Sequence, residues 1–345
     1  MAEEKVVALD ASVLFVPAAS TGAFDAALVD ALQNHGGALI GNLPAGVFDN
    51  ERAAALCSYF DLAPELKAQQ QVAVQQPGNE NIFWGYYSRH QGKNWLYNEH
   101  MQMCRDDALL AAAASVGSWS EDAGCFLAAA PDGTHEPDPH FMPNPWPAES
   151  VLPGWRAAME RYHEQMEDIG ERVLRAVVRH FGSTALLVDE HEAAVCWSDG
   201  VSTLRPMRYP APPDDFDPSG DGYSMADGRL ITAGAHADNG TGISMLWQSS
   251  AGLQVLSPTT NRWLDVPHEC EDFPAGSGLL SIHVGRGLQI MTGDRLLATT
   301  HRVLSEGRQR DAVGFFKCPH PGATLPLEVC PCLHVLPAPC ATARF

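Results

Sequence analysis

From residue 194 to residue 316 the chain is cut by Gly, Pro and Asp into runs too short to be ordinary globular helices. The runs are Ala194–Trp197, Ser202–Met207, Leu230–Ala233, Gly242–Gln248, Leu253–Ser257, Arg262–Val266, Gly278–Val284, Gly287–Met291, His301–Leu304 and Arg310–Phe316. Many short strands at such spacing indicate an all-β sandwich or barrel. Ahead of them lies a segment of the opposite character. Trp155, Met159, Tyr162, Met166, Ile169, Val173, Val177 and Phe181 recur every three or four residues, which predicts one long helix with an apolar face, stopped by Gly182. A scaffold helix packed against a sheet makes the class mixed α+β.

The N-terminal part reads as alternating elements. Val6–Phe15 is β-branched and predicts a short strand; Phe24–His35 predicts an amphipathic helix ended by Gly36 and Gly37; the strand resumes at Ala38. Residues 51–62 and 64–71 predict helices, residues 69–78 a Gln-biased connector, and residues 106–118 an Ala-rich helix. The proline-rich stretch 131–153 predicts a loop. Its His135, Glu136, Asp138 and His140 read better as solvated linker than as a metal site. The expected division is therefore an N-terminal α/β region (1–130), a Pro-rich loop (131–153), the long helix (154–182), the β-rich domain (183–320) and a Pro- and Cys-rich tail (321–345) lying over it.

Composition excludes several roles. The chain is 45% hydrophobic and 19% charged, enough to bury a sizeable core. A formal net charge of −20 argues against nucleic acid and anionic membranes as partners, since both select Lys/Arg clusters. No run reaches the roughly 18 apolar residues of a membrane span, and the acidic N-terminus lacks a signal-peptide core. The nine cysteines are odd in number and mostly scattered, as expected of reduced thiols in a cytoplasmic protein. Cys330, Cys332 and His334 resemble half of a zinc site, but no matching pair accompanies them. A monomer is the expected state.

His236 and Asp238 are two apart in Leu230–Leu256. On a strand they would share a face, an imidazole beside a carboxylate. His301 supplies a third ligand later in the chain. Two histidines and one carboxylate leave open positions on a metal, the arrangement of non-haem Fe(II) oxygenases. His-x-Asp alone is a weak signal among 14 His and 42 acidic residues. Its flanks add specificity: Gly252-Leu253-Gln254-Val255, then Thr300-His301-Arg302-Val303, then Arg310 ahead of Phe315-Phe316.

In these residues the chain resembles the iron- and 2-oxoglutarate-dependent dioxygenases of the isopenicillin N synthase-like superfamily. The likeness is clear from about 195 to 320 and diffuse before that. It implies a double-stranded β-helix (jelly roll) with Fe(II) held by His236, Asp238 and His301 at one open end. It further implies oxidation of a small molecule by O2, with 2-oxoglutarate as co-substrate and ascorbate as an optional reductant. The outcome would be hydroxylation, desaturation or ring closure. Asp238 disfavours halogenation, because halogenating relatives lose that carboxylate.

Arg310 occupies the family's position for the far carboxylate of 2-oxoglutarate, where a planar guanidinium fits bidentately and Lys would not. Tyr209 matches a tyrosine reaching the same carboxylate. The family's Ser two residues after the Arg is Ala312 here, a loss worth about 1.5–3 kcal/mol of charge-assisted hydrogen bonding. Other departures concern the substrate: Asn239 follows the metal-binding Asp, Met207 replaces a common Asn, and His283 and Arg286 stand where Asn-x-Gly-Asp is usual. The candidate pocket set is Trp84, Tyr86, Tyr87, Arg205, Met207, Asn239, Trp247 and His283, with Met245. Arg205, Arg208 and Arg286 admit a carboxylate-bearing, amino-acid-like substrate or internal pairing with Asp and Glu, the latter favoured. Three rival readings stay open: an oxidase of this fold working without 2-oxoglutarate, a non-catalytic binding protein, and a cupin-like isomerase or sugar-binding module.

Overall fold

The structure is a computed structural model and describes residues 4–17, 21–71, 85–91, 95–104, 118–120, 125–129, 135–137, 144–182, 201–213, 217, 224–274 and 277–319. In chain order the strands begin with β1 (Val7–Asp10), β2 (Ala38–Gly41), β3 (Gly85–Gln91), β4 (Trp95–Cys104), β5 (Ser118–Ser120), β6 (Cys125–Ala129) and β7 (His135–Pro137). They continue with β8 (Thr203–Tyr209), β9 (Met225–Ala226), β10 (Arg229–His236), β11 (Ile243–Gln248), β12 (Leu253–Leu256), β13 (Trp263–Asp265), β14 (Leu280–Val284), β15 (His301–Leu304) and β16 (Arg310–Lys317).

Two sheets form the jelly roll. The larger has eight strands in the order β1-β2-β14-β11-β16-β8-β4-β3, and the smaller has five in the order β13-β12-β15-β10-β9. The N-terminal strands thus extend the main sheet. Apart from the parallel β1–β2 pair, the paired strands of both sheets are antiparallel. β5, β6 and β7 form a separate three-stranded sheet.

The side-chain period of two in the large sheet separates a packing face from a working face. Ile243, Met245 and Trp247 of β11, Ile282 of β14 and Phe315 of β16 join the long helix (Trp155–Phe181) and the first helix (Gly22–His35) in one buried cluster. Met159, Ile169, Val173 and Val177 carry the helix side of that contact. The alternate residues look toward the small sheet: Tyr209 and Ala312 share a second cluster with Leu253, Val255 and Val303, and Met207 packs against it. Every site residue on the large sheet comes from this second face.

Several expectations are corrected. Gly287–Met291 is not a strand but part of a helix, Arg286–Met291, which Gly285 enters with its N–H bonded to Gly242 O. A β-rich context misled the reading of a short apolar run, which periodicity alone cannot assign. Only Val7–Asp10 of the first predicted strand is extended; Asp10 accepts from Ser12 N and turns Ala11–Phe15 into a 3-10 helix. Likewise residues 57–61 form a 3-10 turn between the helices Asn50–Leu56 and Pro64–Ala68. The Pro-rich stretch contains the strand His135–Pro137. Trp84, Asp138, His140, the Ala-rich segment up to 117, the run at 194 and the tail from 320 lie outside the described residues.

Candidate active site

His236 ends β10 and His301 begins β15, and the two are directly opposite in the antiparallel ladder. Register shifts before and after Ala233 bend β10 and re-aim its last residue, the usual consequence of a bulge. Their rings lie 4.3 Å apart between centroids. Asp238 is two residues past the strand end, so the pair does not share a strand face as its spacing predicted. A loop brings it in. Asp238 O accepts from Arg286 N at 3.0 Å, and Gly287 N donates to Thr241 O at 2.8 Å. A Cβ on Gly285 would sit 2.1 Å from Thr241 Oγ1, so only glycine lets the two segments approach.

The three ligand atoms lie within 4.8 Å of one another. Asp238 Oδ1 is 3.8 Å from His236 Nε2 and 4.0 Å from His301 Nε2. Each imidazole is oriented through its other nitrogen: His236 Nδ1 lies 2.8 Å from Gly234 O and His301 Nδ1 3.1 Å from Thr299 O. A carbonyl can only accept, so Nδ1 carries the proton and Nε2 turns a lone pair inward. Ser244 donates to Asp238 Oδ2 at 2.5 Å, leaving Oδ1 for the same centre. Burial acts to raise Asp238, but His301, the Ser244 hydroxyl and His236 outweigh it and hold the carboxyl below its usual range. Lost hydration, then the adjacent His301, push His236 below the ordinary imidazole value, although its side chain is 51% exposed at the mouth. A deprotonated carboxylate and two neutral imidazoles are the protonation states a divalent metal selects.

Arg310 is buried on the same inner face, opposite Tyr209 in the β8–β16 ladder. Its guanidinium carbon lies 5.0 Å from the centre of the Tyr209 ring. Nη2 donates to Gln248 Oε1 at 2.8 Å and Nε to Ser250 O at 3.3 Å, while the buried Nη1 has no hydrogen-bond partner among the described residues. Neither Asp311 nor Glu306 pairs with it: Asp311 faces out to Arg208, and Glu306 binds Arg229. Burial lowers the Arg310 pKa and Tyr209 opposes that shift. A buried cation with an orphaned donor lacks an anion. The Tyr209 hydroxyl meets Met207 Sδ at 3.8 Å.

Gly252 is the reason the Gly-Leu-Gln-Val run reaches this spot. Its φ is +129°, and a Cβ there would lie 2.5 Å from Leu304 O and 3.5 Å from Arg310 Cδ. Gln254 and Arg302, the remaining polar residues of the two motifs, bond to each other at 2.7 Å; Arg302 also binds Asp227 and stacks over Trp263. They hold the small sheet together.

The candidate pocket residues separate by face. His283 is buried, 4.9 Å from the His301 ring, with Nε2 2.7 Å from Ser281 Oγ and no partner on Nδ1 among the described residues. Arg205 projects from β8 on the Met207–Tyr209 face; it donates to Gln102 Oε1 through Nε and Nη2 and lies over Phe316. Burial lowers it to about 10, with Asp238 as the chief opposing charge. Tyr87 stacks near His100, whose strand neighbour is Met207. Asn239 is exposed beside Asp238. Trp247, Met245 and Tyr86 are corrections. Trp247 and Met245 face the helices, with Trp247 Nε1 bonded to Asn50. Tyr86 joins that cluster and donates to Glu99. Their one-residue offset from Ser244, Gln248 and Tyr87 sends them across the sheet. The strongest residues that pattern reading missed are Ser244 and Gln248, the two polar positions of an otherwise apolar strand.

A family model described as the 2OG-Fe(II) oxygenase superfamily matches residues 200–319. Over those residues the chain is similar to that superfamily. In Emericella nidulans a "2-oxoglutarate-Fe(II) type oxidoreductase", hxnY, is 29% identical over 195 residues, covering 55% of this chain and 48% of its own length. The "Proline hydroxylase buaE" of Petromyces alliaceus is 30% identical over 166 residues, covering 48% and 46%. The chain therefore spans about half the length of the curated relatives it matches. Among solved structures, a full-length Neurospora crassa protein in complex with α-KG and thymine superimposes with a TM-score of 0.66 at 20% identity, over 93% of this chain and 87% of that one. That likeness carries the jelly-roll fold.

Proposed function

We propose that this chain is a non-haem Fe(II)/2-oxoglutarate-dependent dioxygenase that oxidises a small molecule by hydroxylation, desaturation or ring closure. The observation that carries it is a buried arginine without an acidic partner among the described residues, on the working face of a barrel that also holds a His/Asp/His cluster. The donor set fits the group: two imidazole lone pairs and one carboxylate oxygen converge, and their outer atoms are tied down. His236, Asp238 and His301 would hold Fe(II), which with O2 and 2-oxoglutarate supplies the oxidising power to break a substrate C–H bond. Arg310 binds the distal carboxylate of 2-oxoglutarate, with the Tyr209 ring beneath the guanidinium. Ser244 keeps Asp238 ionised and aimed. The apolar wall of Leu253, Val255, Val303 and Met207 keeps water from the reacting region.

The substrate is read as carrying an anionic group. Arg205 lacks an acidic partner among the described residues, and the one carboxylate that supports its charge, Asp238, is the one a metal would neutralise. A relative named for proline hydroxylation is consistent with an amino-acid-like compound, and Arg205, Met207, Tyr87 and His283 are the residues that would meet it. The protein is read as acting alone in the cytoplasm, apart from nucleic acid and membranes; no described helix is long and apolar enough to cross a membrane. Residues 183–320 carry the chemistry, and residues 1–130 and 154–182 support them.

In an oxidase of this fold that dispenses with 2-oxoglutarate, Arg310 would instead have to meet the anionic group of the substrate itself. The decisive assay measures succinate formed from 2-oxoglutarate by the Fe(II)-loaded protein in air, across a panel of amino-acid-like carboxylates. Succinate production that rises with one of them supports the reading; substrate oxidation at the same rate without 2-oxoglutarate refutes it.

A further inference from the structure

Several arginines here are structural and neutralised. Arg208 is held by Asp311 and Asp61, Arg229 by Glu306, and Arg302 by Asp227. Arg310 is held differently: its acceptors are an amide oxygen and a main-chain carbonyl, both uncharged. Two of its nitrogens are fixed and its full charge is left over, with Nη1 buried and unpartnered among the described residues. Fixation without neutralisation is what an anion-binding guanidinium requires.

Gln248 supplies that fixation. It lies in β11 directly opposite Ala312 of β16, where the departure from the family pattern removes a hydroxyl. Its side chain is buried and committed at both ends: Oε1 accepts from Arg310 Nη2 at 2.8 Å, and Nε2 donates to Val266 O at 2.7 Å. The second bond decides the amide's orientation, because a flipped amide would oppose its oxygen to the Val266 carbonyl and its NH2 to the guanidinium. β13 and its exit, through Val266, thus lock an acceptor onto Arg310. A carboxylate in the same place would hold the arginine more tightly but would consume the charge.

We infer that Gln248 is the positioning residue of Arg310, a neutral clamp across the ladder from Ala312 that presents Nη1 to the distal carboxylate of a 2-oxo dicarboxylic acid. This rests on the function proposed above. It makes binding selective for ligands with a second carboxylate at the far end, and it makes the neutrality of residue 248 as important as its hydrogen bond.

The test is anaerobic calorimetric titration of the Fe(II)-loaded full chain with two probes, 2-oxoglutarate and 2-oxobutyrate, which share the keto acid end but not the distal carboxylate. Gln248→Ala is expected to weaken 2-oxoglutarate about tenfold and leave 2-oxobutyrate within about twofold. Gln248→Glu is expected to weaken 2-oxoglutarate further, about a hundredfold, although its carboxylate still bonds Arg310. Equal weakening of both probes would assign Gln248 a merely structural role and overturn the inference, as would a Gln248→Glu variant that binds 2-oxoglutarate like wild type. Wild-type protein that takes up Fe(II) but binds neither probe would instead overturn the function on which the inference rests.

Discussion

The hydroxyl of Ser244 donates to Asp238 Oδ2 at 2.5 Å, so that Oδ1 of the same carboxylate faces His236 and His301. Two residues six positions apart, one in a loop and one in β11, thereby set the third corner of the metal cluster. Outer partners of metal ligands are commonly worth 10–100-fold in affinity. Ser244→Ala should raise the Kd for Fe(II), measured by anaerobic competition with a chelator, by about tenfold, while Ser244→Thr keeps it near wild type. An unchanged Kd in Ser244→Ala would show that the loop alone orients Asp238.

Gly252 offers a test of the packing beneath Arg310. Its φ of +129° disfavours any side chain, and the added methyl would meet Leu304 O at 2.5 Å, a main-chain atom that cannot swing aside. Gly252→Ala should lower unfolding stability by at least about 2 kcal/mol. Urea denaturation of the metal-free protein measures this directly. A loss below half that size would mean that β12 and β15 separate at little cost.

Acid should destabilise the metal-free protein sooner than carboxylates alone would. His100 and His283 are buried, and burial, with Arg205 beside the first and His301 beside the second, holds both well below the usual imidazole range. In the unfolded chain they bind protons below about pH 6.5, whereas the folded protein refuses those protons until far lower. Stability is therefore complete above about pH 6.5 and is lost as pH falls below it, by up to about 1.4 kcal/mol per pH unit for each histidine. Urea midpoints at pH 7.5, 6.5 and 5.5 should decline in the wild type and decline less steeply in His100→Gln. A flat profile would contradict the burial of these rings.

Much of the site was legible in the sequence because its chemistry is carried by residue types at fixed intervals. His236, Asp238, His301 and Arg310 were identifiable together, and the long helix was delimited by its apolar period and Gly182. What failed has a common cause. A run such as Ile243–Gln248 is buried on both faces, so hydrophobicity does not mark which side a residue takes. Trp247 and Met245 were accordingly assigned to a pocket they do not reach, while Ser244 and Gln248 between them went unnoticed. Asp238 converged on the histidines by a loop rather than by strand alternation, since backbone bonds to Arg286 and Gly287 are invisible in residue spacing. Internal pairing is the favoured reading of Arg205, Arg208 and Arg286; Arg208 pairs with Asp311 and Asp61, whereas Arg205 has no acidic partner among the described residues.

On the function proposed above, one face of this barrel holds a metal and the anchor for a dicarboxylic co-substrate. Anaerobic titration of the full chain with Fe(II) and then 2-oxoglutarate, followed by visible absorption, tests it most directly. The account predicts a metal-to-ligand charge-transfer band that saturates in the wild type and that, at the same ligand concentration, is lost in Arg310→Ala and absent in His301→Ala. Stoichiometric Fe(II) binding with no band at any 2-oxoglutarate concentration, or a band undiminished in Arg310→Ala, would contradict it.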